Sequence, residues 1–168
     1  YMALLVFGAL TYISGFCCVR IMDSEREAIW LFYTFPRKMK SLLWAKAKIW
    51  SFLITSAGVI VFTFFAILLR WPLLESIENG FPMGIGLWLV SIMGVGISAA
   101  GSDLGSTKFT TIKPVAAIGF MFFASFFVLV FFADTFWVKF EGVLLFAGLT
   151  LACWQQGVWR LRYILDLT

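Results

Sequence analysis

The sequence predicts an all-α protein: a polytopic membrane helix bundle of five transmembrane helices, with a short cytoplasmic helix between the first and the second. Two observations carry this prediction. The 168-residue chain is 62% hydrophobic and 13% charged, with a mean hydropathy of +0.97, whereas soluble domains average about 45–50% apolar and about 25% charged residues. Its charged residues are also gathered between long apolar runs instead of being spread along the chain.

Five apolar runs are long enough to cross a bilayer. About 20 residues of helix span a hydrocarbon core about 30 Å thick, and such runs cover residues 1–22, 45–70, 81–101, 114–133 and 141–160. We therefore expect a single transmembrane domain over residues 1–168. Because Tyr1 already lies inside the first run, we also expect the chain to be the later part of a longer protein.

The connections between the runs carry local signals of their own. The second helix is expected to start near Pro36 or Ser41, on the membrane surface. Residues 71–80 should form a short external connection, with turns at its two ends, Trp71-Pro72 and Asn79-Gly80. Before the fourth run, Pro114 stands where a helix-start proline is favoured.

The basic residues are distributed unequally between the two sides of the predicted bundle. Of the 13 Lys and Arg, 11 fall on one side and only Arg70 and Lys139 fall on the other. Cytoplasmic segments of membrane proteins carry the excess of Lys and Arg. We therefore expect a multi-pass protein of the cytoplasmic (inner) cell membrane, with segment 23–44 and the C-terminus in the cytoplasm.

Residues 23–48 separate the first two runs and combine charged with aromatic side chains. Ser24 and Glu27 have the S-x-x-E spacing of a capping box, in which each side chain satisfies a free backbone N–H at a helix start. Pro36 should end this helix, because proline lacks the N–H and restricts the preceding residue. The basic residues that follow lead into the second run: Arg37, Lys38, Lys40, Lys46 and Lys48.

Two interpretations of this segment remain open. An amphipathic helix resting on the membrane would account for its apolar side chains, but Glu25 and Glu27 would then face anionic headgroups unfavourably. A protein partner, with pockets for the aromatic rings and basic groups for the two acids, fits the pattern better.

Several chemistries are excluded or disfavoured. The chain has no histidine, which excludes a histidine general base or metal ligand, and it has no P-loop motif. The spans hold essentially no ionisable side chain at membrane depth, which argues against an intramembrane enzyme or an ion-coupled carrier. Cys17, Cys18 and Cys153 are interpreted as small packing residues. The basic residues are interpreted as contacts for lipid headgroups and not for nucleic acid.

Small and polar residues inside the spans are interpreted first as packing positions. In the third span, Gly94 and Ser98 are four residues apart and Gly101 follows, a spacing that lets helix backbones approach closely. A hinge or a pore lining is the alternative. Gln155 and Gln156 in the fifth span are expected to make an interhelical hydrogen bond in preference to a substrate contact.

Ten residues around the charged segment form a pattern with a family resemblance: Glu25, Arg26, Glu27, Trp30, Leu31, Pro36, Arg37, Lys38, Ala45 and Lys46. With these residues the segment resembles the first cytoplasmic loop of ATP-binding-cassette exporter permeases, in the class with six helices per half. A weaker resemblance covers residues 103–109, DLGSTKF, although residues 110–113 depart from the acidic trend of that family. The five spans then correspond to helices two to six of a permease half.

The resemblance implies a function and partners. The chain would be the permease subunit of an ATP-driven exporter of unknown substrate, without a catalytic site, paired with a second permease half as a homo- or heterodimer. A nucleotide-binding ATPase subunit, which would carry ATP and magnesium, would dock on a coupling helix in segment 23–44. The implied docking residues are Ser24, Glu25, Arg26, Glu27, Trp30, Leu31, Pro36, Arg37, Lys38 and Lys46.

Two alternatives belong to other classes. One is a non-transporting membrane scaffold whose cytoplasmic loop recruits a soluble partner. The other is a lipid-modifying membrane enzyme, which would need acids or histidines from a preceding part of the protein.

Overall fold

The computed structural model describes residues 2–19, 39–101, 114–132 and 135–166, and these residues form five helices and no strand. The helices are α1 (Met2–Val19), α2 (Met39–Leu68), α3 (Leu73–Gly101), α4 (Pro114–Phe131) and α5 (Phe136–Asp166). The predicted all-α class is confirmed for this part of the chain.

Three of the helices are long and apolar enough to cross a membrane, namely Leu43–Leu68 in α2, Leu73–Ala100 in α3 and Trp137–Arg160 in α5. The apolar stretches described in α1 and α4 are shorter, Phe7–Cys18 and Ile118–Phe131. At a rise of 1.5 Å per residue, α2 is about 45 Å long, which exceeds the thickness of the hydrocarbon core. The molecule is a helical membrane protein by length and composition, and the full number of five crossings stays a prediction.

Helix α3 is the centre of the bundle. It packs against each of the other four helices, and its most extensive contact is with α5. Every residue from Val90 to Ala99 is buried. In its most apolar stretch 61% of α3 is buried, against 17% for α2 and 28% for α5. Helix α3 therefore faces mostly protein, whereas most of the apolar surface of α2 and α5 lies on the outside of the bundle.

The apolar core forms two clusters along α3. In the larger one, Phe7 of α1 stacks on Phe131 of α4 with ring centroids 4.3 Å apart, and Phe127 of α4 lies 4.7 Å from Phe146 of α5. The smaller cluster lies towards the start of α2 and consists of Cys18, Leu43, Ala47, Ile92, Val95, Ala99 and Trp154. Close packing of this kind holds membrane helices together, because lipid tails are as apolar as the side chains.

The turn predicted at Trp71-Pro72 is present, and a Schellman motif closes α2 before it. The Trp71 N–H donates to the Ala66 carbonyl at 3.0 Å, and the Arg70 N–H donates to the Ile67 carbonyl at 3.1 Å. Arg70 has a φ of 52°. This left-handed conformation is required at the residue that follows the helix, and glycine usually provides it.

The turn predicted at Asn79-Gly80 is not present, because both residues and Pro82 lie inside α3. Tertiary packing accounts for the difference. A Cβ on Gly80 would lie 3.0 Å from the Phe62 ring, so this glycine makes room for α2. The Asn79 side chain donates from Nδ2 to the Glu75 carbonyl at 2.9 Å, one turn earlier, and so bonds along the helix instead of closing a turn. Contacts with α2 therefore override local helix-breaking signals.

Candidate functional site

Most of the predicted docking residues lie outside the described part of the chain. They are Ser24, Glu25, Arg26, Glu27, Trp30, Leu31, Pro36, Arg37 and Lys38. The remaining one, Lys46, is half-buried about two turns into α2. The described residues that continue this segment belong to one helix, which runs from Met39 to Leu68 and contains no proline.

The start of α2 presents two lysines on either side of a tryptophan. Lys40, Trp44 and Lys48 are four residues apart, which places them on one face of the helix, and all three are exposed. The Lys48 ammonium lies 5.4 Å from the centroid of the Trp44 ring, a cation–π distance. The Trp44 ring also meets Trp154 of α5 in a T-shaped contact, with centroids 5.3 Å apart. This aromatic pair joins the start of α2 to the later part of α5.

A groove of about 610 Å³ lies beside the two tryptophans, between α2, α3 and α5. We call it the basic-end groove, and it is lined by Lys40, Ser41, Trp44, Leu89, Ile92, Ala147, Thr150, Leu151 and Trp154. The Thr150 hydroxyl donates to the Phe146 carbonyl of its own helix at 2.8 Å. The walls are otherwise mainly apolar, and the volume lies in the range of small-molecule sites.

The small residues predicted to serve packing lie along α3. A Cβ on Gly94 would lie 2.7 Å from the Cβ of Cys18 in α1. Ser98 is 4% exposed, and Gly101 is the last residue of α3. Gly94 therefore lies at a close approach of α1 to α3.

A closer contact between helices involves residues outside the predicted set. A Cβ on Gly96 would lie 3.0 Å from the Cα of Trp154, and a Cβ on Gly157 would lie 2.5 Å from the carbonyl oxygen of Gly96. The backbones of α3 and α5 are thus in direct contact. The spacing of Cys153 and Gly157, two small residues four apart, is the sequence signal that could have identified this contact.

At the opposite end of the bundle, a buried lysine links three helices. Lys139 of α5 is 8% exposed, and its Nζ donates to Oδ1 of Asn79 in α3 at 2.9 Å. The same Nζ lies 5.9 Å from the centroid of the Phe131 ring in α4. An amide oxygen and a ring face together stabilise a charge that would be costly to bury alone.

Other polar groups offer no catalytic arrangement in the described ranges. Gln155 and Gln156 are exposed, and the interhelical hydrogen bond expected of them is not made within this part of the chain. Among the same residues, no group of three or more His, Cys, Asp or Glu could hold a metal ion. Cys17, Cys18 and Cys153 are free thiols.

The fold and the site together define a class, a helical membrane protein with an apolar groove at the basic end of its bundle. Comparisons of the chain with protein-family models, with curated proteins and with solved structures gave no match. The function is therefore inferred from the residues of this chain.

Proposed function

We propose that this chain is the membrane-spanning permease subunit of an ATP-driven exporter. The pattern from Glu25 to Lys46, which resembles the first cytoplasmic loop of ATP-binding-cassette exporter permeases, supports the proposal. The structural observation that carries it is the continuity of α2, because one helix leads from the basic residues at its start to Leu68 at its far end.

In this proposal, the segment that precedes α2 docks on a nucleotide-binding ATPase subunit. Glu25 and Glu27 supply negative charge for basic groups on that partner, and Trp30 fills an apolar pocket. When the ATPase subunits close around ATP, the docked segment moves with them. Electrostatic complementarity of this kind fixes the register of docking.

The motion then passes through α2 to the rest of the bundle. A helix without proline or another interruption moves as one body, since sharp kinks arise at identifiable breaks. Helix α2 lies against α3 through small residues: a Cβ on Gly84 would lie 3.9 Å from Val59, and Gly80 faces Phe62. Because α3 contacts all four other helices, a displacement of α2 reaches the whole bundle.

A second permease half is the other partner in this proposal. Gln155 and Gln156 are exposed on α5, within a stretch apolar enough to cross a membrane. Amide side chains in hydrocarbon are unfavourable without hydrogen-bond partners. A protein surface opposite these two residues would provide such partners.

Charge reversal tests the docking step. The double variant Glu25→Lys/Glu27→Lys should bind the ATPase subunit at least about tenfold more weakly, because close charge pairs across an interface contribute about 1.5 kcal/mol or more. ATP-dependent export into vesicles should fall with it. The control is Glu75→Lys/Glu141→Lys, which makes the same change at two exposed acids of the opposite end.

The measurement is co-purification of an ATPase with the full-length protein in mild detergent, followed by reconstituted transport. If the Glu25→Lys/Glu27→Lys protein retains its ATPase and exports normally, the docking assignment is wrong. Recovery of a soluble partner that does not bind nucleotide would instead support the scaffold function.

A further inference from the structure

We propose that the basic-end groove binds one anionic phospholipid, with the phosphate at Lys40 and an acyl chain along the apolar walls. This inference concerns a lipid site on the bundle itself and does not require ATP-driven export.

Charge complementarity is the first argument. Lys40 is exposed at the groove and makes no ion pair within the described part of the chain. Lys48 lies two turns further along the same face of α2. Basic pockets between membrane helices are the sites that select anionic lipid headgroups.

The order of side chains along the groove is the second argument. On α5, the lining runs from Trp154 at the basic end to Ala147, about 10 Å deeper. Leu89 and Ile92 of α3 form the facing wall. A positive charge and a tryptophan at one end, followed by an apolar channel, match a molecule with a charged head and an apolar tail, and tryptophan favours the headgroup level.

The surroundings of the groove are the third argument. Its α3 and α5 walls belong to Leu73–Ala100 and Trp137–Arg160, both apolar enough to cross a membrane. Trp44 and Leu151 are 42% and 62% exposed, so the groove opens to the outside of the bundle. Where these stretches cross a membrane, the medium around the groove is lipid, which supplies the proposed occupant directly.

Retention of defined lipids tests the charge argument. The full-length protein is reconstituted into vesicles of equal parts phosphatidylglycerol and phosphatidylcholine, extracted in mild detergent and analysed by native mass spectrometry. We expect one retained phosphatidylglycerol in preference to phosphatidylcholine, and a preference lowered about fivefold by Lys40→Gln. Arg70→Gln makes the same charge change at an exposed residue of the opposite end and should leave the preference unchanged.

A second pair of variants tests the groove. Ala147→Phe places a ring in the cavity and should reduce retention of both lipids, whereas Leu145→Phe changes an exposed residue of the same helix outside the lining and should not. Size-exclusion profiles and helical circular dichroism establish that each variant is folded.

Three outcomes would overturn the proposal. The first is equal retention of the two lipids by the unmodified protein. The second is an effect of Arg70→Gln as large as that of Lys40→Gln, which would indicate that lipid retention depends on the net charge of the protein and not on a site at Lys40. The third is an Ala147→Phe protein with unchanged lipid retention and a lost dimer, which would show that a second copy of the chain covers the groove.

Discussion

Replacing Gly157 by alanine tests the closest contact between α3 and α5. The new Cβ would lie 2.5 Å from the Gly96 carbonyl oxygen, about 0.9 Å short of the 3.4 Å at which ordinary van der Waals contact begins. The obstacle is backbone, which cannot rotate away as a flexible side chain can. The two helices must therefore separate, and they are the pair with the most extensive contact in the bundle.

Two opposing terms set the size of the effect. Alanine in place of a helical glycine is favourable by about 0.5–1 kcal/mol, whereas overpacking costs about 1–3 kcal/mol. Gly148 of the same helix isolates the first term, because a Cβ at that position meets nothing within 4 Å. We expect Gly148→Ala to be stabilising by about 0.5–1 kcal/mol and Gly157→Ala to be destabilising by about 1–2 kcal/mol.

The assay is the thermal midpoint of the purified protein in detergent, followed by tryptophan fluorescence. A difference of 1 kcal/mol shifts the midpoint of a chain of this size by about 2–4 °C, so the two variants should be separated by several degrees. Equal midpoints for Gly157→Ala and Gly148→Ala would refute the backbone contact between α3 and α5.

Three further predictions concern single contacts. Asn79→Ala removes the oxygen that accepts from the buried Lys139 and should cost about 1–3 kcal/mol. Adding Lys139→Met should restore most of this loss of thermal stability, since no buried charge remains. A double variant with the same thermal midpoint as Asn79→Ala would contradict the role of Asn79 as the hydrogen-bond acceptor of a buried charge. Arg70→Gly should stabilise the protein by about 1 kcal/mol, because glycine adopts a φ of 52° without a Cβ clash; Arg70→Ala keeps the Cβ and should give no gain in midpoint. Tyr12→Phe removes a 2.5 Å hydrogen bond between Tyr12 of α1 and Ser125 of α4. It should lower the free energy of unfolding, measured in a denaturation series, by about 0.6 kcal/mol, the average for such bonds in membranes. A loss above about 2 kcal/mol would indicate that the hydroxyl also contributes to packing.

Much of the fold could be predicted because hydropathy is a strong signal. Long apolar runs have few solutions other than membrane helices, and α2, α3 and α5 lie where such runs stand. Residues 73–80 could not be assigned to α3 in the same way. Asn79-Gly80 and Pro82 are local turn signals, and only the contact of Gly80 with Phe62 on another helix shows why they do not end the helix here.

The candidate site was less accessible to sequence reasoning. The hydrogen bond between Lys139 and Asn79 joins residues 60 positions apart, far beyond the spacing that helical periodicity can report. The basic-end groove needs side chains from three helices, so its existence depends on how they pack. The docking role of Glu25 and Glu27 stays a prediction, because these residues lie outside the described ranges.

The central position of α3 bears on how the bundle is assembled during synthesis. Helices leave the ribosome in chain order, so α1 and α2 are made before the helix on which they pack. Helix α5 is made after α3, although it contacts α3 more extensively than any other helix of the described ranges does. Before α5 is made, the face of α3 around Gly96 lacks the helix that covers it in the folded bundle. Apolar surface that is exposed in this way during folding promotes misassembly. A chain that stops before α5 should therefore be recognised by quality-control proteases and degraded.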